Sequence, residues 1–402
     1  MSDSVRFTDF SRVSFNELPR DLLARRSRVM QWEFCPEECV EEEEPQRPFR
    51  RDTYHYVLPA HLIAQHPLPR RDESRLMVLF RESGAMHHST FRNLRDHLRR
   101  GDLLVVNDSK VFPARLIGSK PSGGRADLLL LKPCEEGGPG SHVWECLIRC
   151  AGRPRKGQAL AFPCGLQGKV AGHSEDGVWK VHFDLEPEEM HAYLEAHGRV
   201  PLPPYIKRGC DEGPAGDRSG DRVRYQTVFA EHVGSVAAPT AGFHFTEELL
   251  RSLEEGGVSF AKVTLHVGQA TFLPIRARDV RRHRIGPERY RLSEENAEKI
   301  RQAKREGRRL VAVGTTVVRC LESLVSEKGR IEAGEGWANL YILPGHRFEV
   351  VDALITNFHL PGTSLLVLVC AFASLENVFN AYEEAVRRDY RFFSYGDCML
   401  VQ

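Results

Sequence analysis

The chain has 402 residues, 41% of them hydrophobic and 28% charged, with 56 Lys and Arg against 55 Asp and Glu. That length allows two or three domains, and a net charge of +1 excludes binding of nucleic acid through bulk positive charge. The longest apolar run, Leu365 to Ala373, is too short to span a bilayer, and Met1-Ser2-Asp3-Ser4 has neither the basic nor the apolar part of a secretory signal, so a cytoplasmic protein with no membrane contact is expected.

Residues 1–50 carry eight Arg and no Lys against eleven acidic residues, with Glu41 to Glu44 in a block. Such a block self-repels and stays solvated, so this segment reads as an acidic, flexible extension. Phe91, Leu94 and Leu98 then share one helical face, Gly101 stops it, and Leu103 to Val106 is a short buried strand. Residues 113–187 hold closely spaced strand-length runs: Leu128–Leu131, Val143–Ile148, Ala159–Phe162, Leu166–Val170 and Val178–Phe183. Gly- and Pro-bearing turns separate them, which predicts a small β-barrel inserted between two α/β segments, 51–112 and 188–402.

From Ser235 the pattern is strand, polar loop, helix. A helix is expected over Thr246–Glu255 and a strand over Phe260–Val267. Ser293 caps a helix to Glu306, Leu310–Val313 is a strand before a helix over Val317–Ser326, and Val350–Thr356 is a strand before an apolar helix from Ser364. The expected fold class is therefore α/β, a largely parallel sheet with helices carrying the inserted barrel.

Ligands bind outside the carboxyl ends of strands in open α/β sheets. Three polar loops fall there, Pro239–Phe245, Gly314–Thr316 and Asn357–Thr363, each before a helix whose free N–H groups can hold an anion. His244, His266 and His359 stand near strand ends, where an imidazole can take or give a proton at neutral pH. Asp352, inside an apolar strand, needs a partner. Pro201-Leu202-Pro203-Pro204 with Tyr205-Ile206-Lys207-Arg208 is stiff, aromatic and basic, suited to stacking on an unpaired base or to linking domains. Ten cysteines without a C-x-x-C pair or zinc-finger spacing read as free thiols. No G-x-G-x-x-G, P-loop or G-x-S-x-G is present, which disfavours Rossmann enzymes, NTPases and serine hydrolases. The three histidines leave a metal-dependent hydrolase open, although no H-x-H or H-E-x-x-H accompanies them.

Long strings carry a more specific signal. Leu62-Ile63-Ala64-Gln65-His66-Pro67-Leu68, Arg71-Asp72-Glu73-Ser74-Arg75-Leu76 and Asn107 to Leu116 come first. Tyr225 to Ala230, Ala237 to Phe245, Val263 to Gly268, Val351 to Pro361 and Tyr390 to Asp397 follow. Through them, residues from about Thr53 to Val401 resemble the S-adenosylmethionine:tRNA ribosyltransferase-isomerases of queuosine biosynthesis. The resemblance implies an α/β domain with an inserted barrel. It also implies transfer and isomerisation of the ribosyl part of S-adenosylmethionine onto 7-aminomethyl-7-deazaguanine at the tRNA wobble position. Epoxyqueuosine-tRNA forms, and adenine and methionine are released. S-adenosylmethionine is consumed as co-substrate, no metal is needed, and the partner is the tRNA bearing that base; a monomer or homodimer is compatible.

On that resemblance, His244 and His266 are expected to line ribose and adenine, one of them as general base or acid. Thr240, Gly242 and Phe243 would close over the cofactor. Gly314, Thr315 and Thr316 would bind the methionine carboxylate or a tRNA phosphate. Asp352, Asn357 and His359 would form the opposite wall with Tyr395 and Asp397 nearby. Arg115, Tyr205, Lys207 and Arg208 would contact tRNA or the modified base. The chain departs from the family pattern at Ala270, where a glycine is usual, at Gly286 and at His346. A tRNA-binding homologue without catalysis is the alternative those changes leave open.

Overall fold

The computed structural model describes residues 45–134, 142–174, 177–208, 220–268 and 274–402. The acidic block at Glu41–Glu44, the turn at 136–140 and the departure at Ala270 lie outside the described residues. Residues 45–50, grouped with the extension by composition, pack on the body. The Tyr54 hydroxyl donates to the Pro48 carbonyl at 2.6 Å, and the Arg281 guanidinium lies 4.6 Å from the centre of the Phe49 ring.

The chain begins with strands β1 (Arg75–Leu79) and β2 (Met86–Thr90), a 3-10 helix over Phe91–His97, then β3 (Leu103–Asn107) and β4 (Ser109–Val111). Six strands follow: β5 (Arg115–Ser119), β6 (Arg125–Pro133), β7 (Val143–Cys150), β8 (Ala159–Ala161), β9 (Gln167–His173) and β10 (Trp179–Phe183). Next come helices α1 (Pro187–His197) and α2 (Asp221–Arg224), strand β11 (His232–Ser235), helix α3 (Glu247–Glu255), and strands β12 (Ser259–Leu265) and β13 (Glu288–Leu292). The last part contains α4 (Glu294–Arg305), β14 (Leu310–Val313), α5 (Thr315–Lys328), β15 (Gly334–Ala338), β16 (Ala353–Asn357), α6 (Ser364–Ala373), α7 (Leu375–Arg387) and β17 (Cys398–Val401).

Nine strands form one sheet in the order β15-β13-β12-β3-β14-β16-β17-β1-β2. Its centre, β12-β3-β14-β16, is parallel, and β17 runs parallel to β1. The pairs β15-β13, β13-β12, β16-β17 and β1-β2 are antiparallel. The sheet is therefore mixed, not largely parallel as expected. The strand-loop-helix rhythm marks only the central strands. The outer strands each pair antiparallel with a neighbour, whether or not a helix precedes them.

Alternation along each strand builds two cores. In β3, Leu103 and Val105 face a layer containing α4, α5, α6 and α7, while Leu104 and Val106 face α3, Phe91 and Phe245. Helix α6 is buried along nearly its whole length, which explains its apolar sequence. The strands β5–β10 close into a barrel in the order β10-β7-β6-β5-β8-β9, with Leu116, Leu128, Leu130, Trp144, Val181 and Phe183 inside. A Cβ on Gly118 would sit 2.5 Å from the Ala161 carbonyl oxygen, so the closing β5-β8 contact needs a residue without one.

Candidate active site

The carboxyl ends of the central parallel strands open into a cleft. Gly314, Thr315 and Thr316 follow β14; Thr356, Asn357, Phe358 and His359 end β16; Val267 follows β12; and Ala238 to Ala241 follow β11. Tyr205, Phe393 and Ser394 form the remaining wall, and none of the lining side chains is Asp, Glu, Lys or Arg. Thus Tyr205, Thr240, Gly314, Thr315, Thr316, Asn357 and His359 come together as the sequence suggested.

Gly314 makes the sharp passage from strand to helix at φ +98°, a backbone state that L side chains resist. It brings the first turn of α5, whose leading N–H groups lack intrahelical acceptors, to the cleft floor. Thr316 is buried there, and its Oγ1 has no partner among the described residues. A buried hydroxyl left unpaired costs about 1–3 kcal/mol, so this atom is a ready contact for a ligand. Phe393 has φ +69°, an uncommon state for a bulky residue, and its ring packs 4.9 Å from Tyr205. The Tyr205 hydroxyl lies 2.7 Å from Ser394 Oγ.

The three imidazoles separate. His359 lines the cleft, its Nε2 2.8 Å from Thr356 Oγ1, and burial pushes its pKa down to about 3, so it is neutral at pH 7. His244 is 3% exposed and stands behind the cleft wall. Its Nδ1 is 2.7 Å from Ser74 Oγ and its Nε2 is 3.2 Å from Asn357 Nδ2. Asn357 Nδ2 also donates to the Phe393 carbonyl, and its Oδ1 accepts from Thr240 Oγ1 at 3.0 Å. The amide orientation is thereby fixed, so His244 Nε2 accepts and Nδ1–H donates to Ser74. Burial first, then Arg71 and Arg391, hold its pKa near 3. His244 is a neutral spacer that aims Asn357. His266 is half-buried outside the cleft; among the described residues its Nδ1 has no partner, and its ring lies against Gly234. Burial, Arg289 and His232 lower its pKa.

Asp352 is a correction. It sits before β16, lies 40% exposed, and its Oδ2 accepts from the Leu310 amide at 2.8 Å. The strand begins at Ala353, one residue later, so Asp352 lies at its amino end, a strand length from Asn357. Asp397 also lies away from the cleft. It is buried, accepting from the Arg75 and Arg391 amides and pairing with Arg75 Nε at 3.1 Å. Tyr395 donates to Asp221 Oδ1, and Gly242 is packed against Thr227. Phe243 and Tyr395 line a smaller second pocket behind the cleft. Arg115 is held bidentately by Asp127 on the barrel, Arg208 bidentately by Asp221, and Lys207 is exposed beside Gln65. None of these three lines the cleft.

Asp108, Glu231 and His232 bring ligand-type atoms within 4.8 Å of one another, but the Lys262 ammonium already sits 2.9 Å from Glu231. Sequence reasoning missed Ser74, Arg71, Thr356 and Ser394. Ser74 and Arg71 stand in a string that carried the resemblance, and that was their only signal; Thr356 was read as plain strand.

Residues 51–401 match the family model described as queuosine biosynthesis protein. The chain belongs to this family. A relative from Pelobacter propionicus named S-adenosylmethionine:tRNA ribosyltransferase-isomerase is 48% identical over 349 residues, covering 87% of this chain and 98% of that protein. One of the same name from Carboxydothermus hydrogenoformans is 48% identical over 350 residues, with the same coverage of both chains. A crystal structure of S-adenosylmethionine tRNA ribosyltransferase from Thermotoga maritima is 37% identical, covering 87% of this chain and all of that one, with a TM-score of 0.48. Family membership spans the sheet, the barrel and every cleft residue.

Proposed function

We propose that this protein is an S-adenosylmethionine:tRNA ribosyltransferase-isomerase. It transfers the ribosyl group of S-adenosylmethionine to 7-aminomethyl-7-deazaguanine in tRNA, giving epoxyqueuosine-tRNA, adenine and methionine. The observation that carries this reading is near-full-length identity of 48% to relatives of that name, coupled to a cleft at the carboxyl ends of the sheet that carries no charged side chain among the described residues. The α/β body and the inserted barrel act as separate domains, with residues before the match to the family outside the catalytic unit.

S-adenosylmethionine, when bound, supplies a sulfonium that acidifies the neighbouring 5′ C–H and a ribosyl group that can leave adenine. The chain fits it. The first turn of α5 and the Thr316 hydroxyl take the methionine carboxylate through helix N–H groups. Val267, Phe358 and Leu365 give the apolar surface that keeps water out. His359, neutral and fixed by Thr356, is the imidazole that exchanges protons with the reacting sugar and base. Asn357, held by His244, Thr240 and the Phe393 carbonyl, orients the ribose from the other side. Tyr205 stacks on the modified base. Placed proton transfer contributes on the order of 10²- to 10⁴-fold, and positioning of two large substrates contributes more.

The test is incubation of the full chain with S-adenosylmethionine and tRNA bearing the aminomethyl base, followed by chromatography of the small molecules and mass spectrometry of the nucleosides. Adenine, methionine and epoxyqueuosine are the expected products. A methylated nucleoside, or binding of tRNA without adenine release, would overturn the reading. Activity that disappears with a chelator would support a metal-dependent hydrolase instead.

A further inference from the structure

A second pocket lies behind the cleft wall, and its arginines take no part in the chemistry above. Its lining includes Arg71, Arg224, Ser74, His244, Tyr395 and Ser394, and Ser394 also lines the cleft. Two guanidiniums therefore face one half-buried space. Arg71 donates to the carbonyls of Phe243 (3.3 Å) and Val223 (3.1 Å), and Arg224 to those of Pro69 (2.9 Å) and Leu68 (2.5 Å). Among the described residues neither has a carboxylate partner, and the buried Arg224 Nε has no hydrogen-bond partner at all. Burial and the repulsion of Arg224 push the Arg71 pKa down to about 10. Uncompensated charge in a cavity is costly, and an anion relieves it. Arginine forks match the paired oxygens of phosphate.

We propose that this pocket binds a backbone phosphodiester of the RNA, next to the nucleotide whose base enters the cleft. The proposal rests on the tRNA reading above. Ser394 lines both spaces and the Asn357–His244 pair joins their walls, so a phosphate at Arg71 and Arg224 anchors the strand while its base reaches Tyr205. Among the described residues the cleft itself has no charged side chain to hold RNA.

Arg71→Gln and Arg224→Gln keep a donor for the carbonyls while removing the charge; thermal melts check that each folds, and Arg224→Gln alone carries the test if Arg71→Gln does not. The probe is a labelled anticodon stem-loop RNA with unmodified guanine at the wobble position, read by anisotropy across a salt series without S-adenosylmethionine. Each neutral variant should weaken RNA binding roughly tenfold and flatten the log-log salt slope by about 0.7. The KM for S-adenosylmethionine should stay unchanged. An unchanged salt slope in a folded variant overturns the proposal. So does a raised KM for S-adenosylmethionine with normal RNA binding, which would give the pocket to the co-substrate. Inorganic phosphate forms the control arm: thermal stabilisation by phosphate that vanishes in the variants, with an unaltered RNA slope, would mark a free-anion site. Failure of the wild type to release adenine would strike the functional reading alone, because RNA binding is measured without turnover.

Discussion

Replacing Asn357 by Asp tests the buried relay behind the cleft. In the native protein, Asn357 donates to His244 Nε2 and to the Phe393 carbonyl, and His244 stays neutral with a folded pKa near 3 against about 6.5 when unfolded. The unfolded state then binds more protons between these values. The His244 contribution to stability is full above about pH 6.5 and is lost as pH falls toward 3. Its slope approaches about 1.4 kcal/mol per pH unit. For 402 residues unfolding together, that is roughly 2 °C in Tm per unit. A carboxylate at 357 offers no donor and favours the imidazolium, raising the folded pKa of His244 above 6.5. Its contribution then reverses: present below pH 6.5, and lost as pH rises through the raised value. His359, two residues on in the same cleft, feels the new carboxylate as well and shifts in the same direction. Calorimetry from pH 7 to 5 should show the native Tm falling and the variant falling less or rising. Identical acid slopes would refute the reading that the Asn357 amide donates to a neutral His244.

Thr316→Val should leave stability unchanged or raise it, since the lost hydroxyl has no partner, while raising the KM for S-adenosylmethionine roughly tenfold; an unaltered KM would remove Thr316 from the carboxylate site. Arg319→Met removes the buried cation 2.5 Å from Glu288, both side chains being at most 3% exposed. About 3–5 kcal/mol of destabilisation is expected by urea denaturation. Gly396→Ala places a Cβ 2.5 Å from the Arg391 oxygen and the Phe392 carbonyl carbon, which are backbone atoms that cannot swing aside. A loss above roughly 2 kcal/mol should follow, read as a lowered Tm.

The parallel centre of the fold was legible because Leu310–Val313 and the run up to Asn357 are short apolar strings followed by helix caps. Strand β13 was not, because its alternation of Glu288, Tyr290 and Leu292 inward with Arg289 and Arg291 outward looks like a charged surface segment. Strand β1 hid inside Arg75–Leu79 for want of a helix after it. At the site, the loops identified themselves by position, but the roles of the histidines did not. A His in a polar loop looks the same whether its ring faces a ligand, as His359 does, or is enclosed by Ser74 and Asn357, as His244 is. Nothing local tells that Ser74, 170 residues away, meets the His244 ring. Asp352 misled because the strand was expected from Val350 and begins at Ala353, which moves Asp352 from a buried ladder to the half-exposed segment before it.

Strand β17 lies between β16 and β1, joining an early hairpin to the body of the sheet. During synthesis the first hairpin, with Leu76 to Leu79 exposed along an open edge, waits through more than three hundred residues for its neighbour. Vectorial folding from the ribosome therefore yields a body that is internally ordered but holds its earliest segment unclaimed, a state prone to edge-to-edge association until translation passes Val401.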